Sequence, residues 1–192
     1  MKILERRPIV LAIAGPNGAG KTTFYTSHLL PHGLPFVNAD ELALHLELDP
    51  YKAAEVADRV RRELVKRRES FAFETVFSDP VGEKLEFLKD AERGGYAVML
   101  FFAGIDKPET SEERVAMRVA KGGHDVPKDK LQSRYKRVME NLRRALVELS
   151  NVRVYDNSDL LVPYRLVAVV EDGVLTLTPL TPKWLRPLLP SL

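Results

Sequence analysis

The chain has 192 residues, 45% of them hydrophobic and 29% charged, with 29 Lys and Arg against 27 Asp and Glu for a net charge of +2. That length suits one domain over 1–192 with a full core, and the near-balanced charge lacks the basic signature of a nucleic-acid binder. Cysteine is absent, which excludes disulfides, thiolate metal centres and cysteine nucleophiles.

Lys2, Arg6 and Arg7 precede a short apolar run ending at Ala12-Ile13-Ala14, a pattern superficially like a secretion signal. The run is shorter than most signal cores and leads straight into a glycine loop that cleavage would destroy, so Ile9 to Ala14 reads as a buried parallel strand. No apolar stretch has the length of a membrane span, and a cytoplasmic protein is expected.

The strand breaks into Gly15-Pro16-Asn17-Gly18-Ala19-Gly20-Lys21-Thr22-Thr23, which matches GxxxxGK[ST] at every fixed position. The glycines let consecutive main-chain N–H groups turn inward as an anion nest, and the next helix adds the positive end of its dipole. The loop is expected to hold the phosphates of ATP. Lys21 then reaches the β- and γ-phosphates, and the Thr22 hydroxyl ligates Mg²⁺.

A first helix is predicted from Lys21 to Leu30, stopped by Pro31-His32-Gly33. A second strand within Pro35 to Asn38 leads to Asp40, then a short helix over 41–48 and a longer one over 51–69, with Ala53, Val56, Val60 and Leu64 turned inward. Ser70 to Thr75 is the third strand. Asp79-Pro80 reads as the cap and first turn of a helix ending near Gly94-Gly95, and Tyr96 to Ala103 as the fourth strand. Thr110 and Glu113 form a capping-box pair for a helix carrying Arg114 and Arg118, which breaks at Gly122-Gly123.

Pro127 starts the longest helix, whose Leu131, Tyr135, Val138, Leu142, Leu146 and Leu149 make a core stripe. Val152 to Tyr155 is the fifth strand, ending at Asp156-Asn157-Ser158. Asp172-Gly173 predicts an edge hairpin over about 164–178, and the proline-rich tail is expected to lie loosely on the surface with Trp184 as its anchor. The alternation predicts an α/β fold: a P-loop NTPase-like, mainly parallel sheet flanked by helices.

Ligands of open α/β sheets bind outside the carboxyl ends of the strands, so the P-loop, Asp40, Glu74 and Thr75 converge on one rim. Asp40 reads either as a helix cap or, facing the P-loop, as a general base or magnesium-linked carboxylate. Glu74 resembles a strand-end metal acid, but substrate hydrogen bonding by Glu74 and Thr75 is the preferred reading. Helix, Gly122-Gly123, His124-Asp125, Pro127 and helix is the build of a lid over about 108–130, able to bring Arg114, Arg118 or His124 to the phosphates. The alternative makes both arginines solvated partners of Glu112 or Glu113. His28, His32 and His45 read as structural or surface residues. Arg134, Arg137 and Arg144 read as the wet face of the long helix, Arg134 being near the lid.

The ordered set of Gly15 to Thr23, Val37-Asn38-Ala39-Asp40, Phe73-Glu74-Thr75, Gly95-Tyr96, Glu113-Arg114 with Arg118, Gly122 to Pro127, Arg134-Tyr135 and Tyr155-Asp156-Asn157 resembles the zeta toxin family of P-loop kinases over about 10–158. The resemblance implies transfer of the ATP γ-phosphate to the 3′-hydroxyl of the amino sugar in UDP-N-acetylglucosamine, and an antitoxin protein as partner. By it Asp40 would be the base, Lys21 and the lid arginines would stabilise the moving phosphoryl group, and Glu74 with Thr75 would orient the acceptor. His124 stands where the toxin motif places a second lid arginine, and the lid is shorter than in antitoxin-bound members. In these respects the chain looks closer to the compact, stand-alone branch of predicted ATPases. The competing readings are a kinase of the same architecture for a nucleoside, antibiotic or RNA end, and a non-catalytic ATP-binding switch.

Overall fold

The computed structural model describes residues 2–120, 122 and 126–190. Its sheet has five parallel strands, β1 (Ile9–Ala14), β2 (Phe36–Val37), β3 (Phe71–Thr75), β4 (Ala97–Gly104) and β5 (Val152–Asp156). An antiparallel hairpin of β6 (Arg165–Glu171) and β7 (Val174–Leu177) extends it in the order β2-β3-β1-β4-β5-β6-β7. β1 is therefore central, and all six of its residues are buried. Val10, Ala12 and Ala14 enter the core on one face, Ile9, Leu11 and Ile13 the core on the other. A strand covered on both faces can only be continuously apolar, which is how it reads.

The helices are α1 (Lys21–Phe24), α2 (Ala39–His45), α3 (Pro50–Lys66), α4 (Glu83–Arg93), α5 (Pro108–Val119) and α6 (Lys128–Glu148). α1 widens into a π turn over Tyr25–Leu29 and stops at Gly33, whose φ of 66° is the left-handed conformation that ends helices. Phe24, Tyr25 and Leu29 cover one face of the sheet. Leu85, Leu88 and Ala91 of α4 and Val138, Leu142, Ala145 and Leu146 of α6 cover the other.

Local chemistry moves several boundaries from their predicted places. α3 turns Ala53, Ala57 and Arg61 inward, while Val60 is exposed, because Arg61 stacks over the Phe73 ring at 4.9 Å and pairs with Asp58. α4 begins at Glu83 rather than at Asp79-Pro80, Asp79 instead accepting a hydrogen bond from the Glu83 N–H. Thr110 lies inside α5 and donates to Asp106 at 2.7 Å, so no capping box forms there and Lys107 precedes the first turn. The hairpin turns through Asp172 at φ 49° and Gly173 at φ 80°, the pair of positive angles a two-residue turn needs.

The tail is more firmly held than expected. Trp184 donates its indole N–H to Asp156 Oδ1 at 3.1 Å and lies so close to Gly104 that a Cβ there would overlap the ring.

Candidate active site

The P-loop leaves β1 at Gly15, whose φ of 147° presses the backbone against the Ala103 carbonyl with no space for a Cβ, and enters α1 at Gly20 with φ 83°. Both positions need glycine, for close approach at the first and positive φ at both. The Lys21 ammonium is buried and donates to the Pro16 carbonyl at 3.1 Å, with Glu74 Oε1 at 3.8 Å. Burial lowers the Lys21 pKa, Glu74 and Asp40 oppose that, and Arg118 adds to it. The Thr22 hydroxyl donates to Glu74 Oε2 at 2.7 Å.

Asp40 is not the cap of α2. Asn38 takes that role, its side chain accepting from the Asp40 N–H at 2.9 Å, which leaves the Asp40 carboxylate exposed in the first helical turn. It lines a cleft of about 600 Å³ together with Asn17, Glu74, Thr75 and Arg118. α3, α4 and α6 complete the walls with Arg61, Lys84, Arg134 and Arg137. Thr75 accepts from the Phe77 N–H at 3.1 Å, and Arg137 donates to the Ser78 carbonyl at 2.8 Å. Arg134 and Arg137 thus belong to the cleft instead of a wet face, and Arg144 is paired with Glu86 and Glu148.

A second cleft of about 590 Å³ opens on the other side of the P-loop at Gly18, Gly20 and Thr23. Arg114, Met117, Tyr164 and His28 line it, His28 stacked on Phe24 at 4.6 Å. Arg114 donates to the Ser158 carbonyl at 2.9 Å. The two arginines of α5 therefore flank the P-loop, Arg114 at this cleft and Arg118 at the one holding Asp40. His124 and Asp125 lie outside the described residues, as does Gly123 of the Gly122-Gly123 hinge.

These features place the P-loop between two clefts on a 2-3-1-4-5 parallel core, and the Zeta toxin family model matches residues 47–166, well over half the chain. The chain belongs to the zeta toxin family. The match begins after the P-loop and Asp40, which rest on the motif and the geometry. Among solved structures, a chain of the AvrRxo1-ORF1:-ORF2 complex with ATP is similar over 92% of this zeta toxin family chain at 20% identity and TM-score 0.71. This chain spans only 63% of that chain's length. A chain of the PezAT chromosomal toxin-antitoxin system of Streptococcus pneumoniae is similar over 79% of this chain and 68% of its own, at 18% identity and TM-score 0.59. For a gluconokinase from Sinorhizobium meliloti 1021 the figures are 81% and 86%, at 17% identity and TM-score 0.54. These likenesses are of fold, the P-loop kinase α/β fold.

Two features bear on what this family member can hold. Thr22 and Glu74 bring two hard oxygens together at the end of the P-loop, a donor set that fits Mg²⁺, which takes one or two protein oxygens and completes its shell with other oxygens. Ser111, Asn157 and Tyr164, none of them singled out as site residues in the sequence, donate to P-loop carbonyls from outside. Asn157 had a signal in the Tyr155-Asp156-Asn157 segment shared with the family; Tyr164 and Ser111 had none, since a donor to a carbonyl more than ninety residues away leaves no local pattern. No helix among the described residues is long and apolar enough to cross a membrane.

Proposed function

We propose that the protein is a cytoplasmic ATP- and Mg²⁺-dependent phosphotransferase acting on a hydroxyl of a small molecule, with UDP-N-acetylglucosamine the leading acceptor. What carries the reading is that Asp40 and Glu74 share one cleft with Asn17 of the P-loop, with Glu74 Oε1 3.8 Å from the Lys21 ammonium. The acceptor enters that cleft. Asp40 takes the proton of its hydroxyl as the oxygen bonds to the γ-phosphorus; the bond to the β–γ bridging oxygen breaks and ADP leaves. Lys21 and Arg118 offset the charge on the transferring group. Thr22 and Glu74 would hold Mg²⁺, which would supply positive charge to offset that of the phosphates.

Glu74 is assigned to the metal in preference to the acceptor because its carboxylate meets the Thr22 hydroxyl. Thr75, Arg134 and Arg137 remain to orient the acceptor, and the segment over about 108–130, which carries His124, serves as the lid. An antitoxin partner is proposed on the family and on the toxin-antitoxin origin of one similar structure.

Incubation with labelled ATP, Mg²⁺ and either UDP-N-acetylglucosamine or a metabolite extract tests this. A labelled product from the sugar nucleotide, absent with Lys21→Ala, is expected. A product from the extract alone reassigns the acceptor, whereas ATP binding with no product from either source overturns the kinase reading in favour of a switch.

A further inference from the structure

A phosphate nest works only if its peptide units are all turned the same way. Because the peptide is planar, an N–H aimed inward sends the carbonyl of the preceding residue outward. Something must hold those outward carbonyls, or the loop is free to rotate and point a repulsive oxygen at the anion.

In this protein three side chains from two other segments, α5 and the connection between β5 and β6, do so. Ser111 of α5 donates its hydroxyl to the Asn17 carbonyl at 2.6 Å, and so fixes the peptide that carries the Gly18 N–H. Asn157, just after β5, donates its amide to the Ala19 carbonyl at 2.9 Å, fixing the Gly20 N–H. Tyr164, just before β6, donates its hydroxyl to the Gly20 carbonyl at 2.8 Å, which also accepts from the Phe24 N–H of α1 at 2.8 Å, and the two bonds together fix the Lys21 N–H. The last two also hold each other, since Asn157 Oδ1 accepts from the Tyr164 N–H at 3.2 Å.

The clamp is tight. A Cβ on Gly20 would sit 2.6 Å from the Tyr164 hydroxyl and 2.9 Å from the Asn157 amide. Ser111 and Asn157 are buried, and Tyr164 is kept at φ 52°, a left-handed backbone that a tyrosine adopts only under constraint.

We infer that Ser111, Asn157 and Tyr164 are positioning residues that preorganise the P-loop amides for a polyphosphate. This rests on the proposed nucleotide role of the P-loop and adds to it where part of the binding free energy comes from: beside its own bonds to the Pro16 and Gly20 carbonyls, the loop owes its aim to donors outside the motif, which lessens the reorganisation needed when phosphate arrives.

The test is calorimetric binding of ATP and of tripolyphosphate, which has the phosphates but no base, to the full chain and to Tyr164→Phe, Ser111→Ala and their double variant. Ser111→Ala removes one neutral hydrogen bond and Tyr164→Phe the hydroxyl that meets the Gly20 carbonyl, Thr23 and Asn157, and both keep the shape. Both ligands are expected to weaken about fivefold for each single variant and about 25-fold for the double. Tyr96→Phe, which deletes a hydroxyl bonded to the Leu64, Val65 and Glu69 carbonyls, controls for a general loss of stability and is expected to leave both affinities unchanged.

Unchanged affinities in Tyr164→Phe and Ser111→Ala overturn the positioning role. Loss of ATP binding with tripolyphosphate binding intact also overturns it, by assigning the hydroxyl to the base. If the unsubstituted chain binds neither ligand, the nucleotide reading itself falls and takes the positioning role with it.

Discussion

The Thr22 hydroxyl and the Glu74 carboxylate meet at 2.7 Å, joining the first turn of α1 to the end of β3, with the Lys21 ammonium 3.8 Å from the other Glu74 oxygen. Glu74→Gln keeps an oxygen able to accept from Thr22 but removes the charge a divalent cation needs. The Mg²⁺ concentration for half-maximal ATP binding is expected to rise about tenfold, the equivalent of roughly 1.4 kcal/mol. An unchanged Mg²⁺ titration with a raised KM for the acceptor would return Glu74 to substrate binding.

Asp40 is exposed, near Lys21, and released from capping by Asn38. Asp40→Asn should lower phosphoryl transfer by about 10²–10⁴-fold, the usual contribution of a general base, and leave the ATP dissociation constant within about twofold. Rapid-quench transfer assays and equilibrium ATP binding, done side by side, separate the two effects.

Arg114 and Arg118 should give different kinetic signatures although they are one helical turn apart. Arg118 faces the cleft of Asp40, so Arg118→Ala is expected to reduce kcat, on the order of 10³-fold if it meets the transferring group as arginine fingers do. Arg114 holds the Ser158 carbonyl and packs beside Gly18, so Arg114→Ala is expected to raise the KM for ATP with kcat nearly kept.

Asp156 makes tail docking sensitive to acid. Burial opposes its charge, but hydrogen bonds from Ser158, Trp184 and Arg165 outweigh burial and hold its carboxyl below the usual range. A folded-state pKa below the unfolded one means the folded chain binds fewer protons. The stabilisation is therefore complete above about pH 4 and is lost as the pH falls through the folded value. Trp184, the one tryptophan of the chain, reports this through its fluorescence. Asp156→Asn should cost about 1.5–3 kcal/mol near neutral pH and flatten the acid dependence of unfolding.

Gly104 tests how firmly the tail is seated. Its backbone φ is not in the left-handed region, so Gly104→Ala acts only by driving a methyl group into the Trp184 ring. The expected result is a loss of about 1–3 kcal/mol by overpacking and a red-shifted tryptophan emission. A tail resting loosely on the surface would leave both unchanged.

Much of this site was legible in the chain. Val10 to Thr23 announced a buried strand, a glycine turn and a helix start, because each of those has a local signature within a dozen residues. Asp40, Glu74 and Thr75 stand at or just past the ends of their strands, and the rim rule for α/β sheets brought them to one cleft. Caps were less legible: Asn38 and Asp49 took α2 and α3, while Thr110 and Asp79, equally good on paper, did not cap their helices. Many residues can cap, and the packing of the helix decides which one stands at its first turn. Val60 gave up its expected inward place to Arg61 for a similar reason. Hydropathy alone puts valine inside, but Phe73 and Asp58 offer a guanidinium a stack and a counter-charge.

By itself the amino-acid order determined the periodic and the contiguous: which segments are strands, where the P-loop lies, that Asp172-Gly173 reverses the chain, and which acids end the strands. Only the tertiary structure decided that Thr22 meets Glu74, that Arg114 and Arg118 serve opposite clefts, and that Ser111, Asn157 and Tyr164 grip the P-loop from 94, 138 and 144 residues away. The reason is the range of the forces involved. Backbone propensity and hydrophobic period act between neighbours in the chain, whereas a hydrogen bond is specified by position in space, which exists only once the sheet has set its strand order.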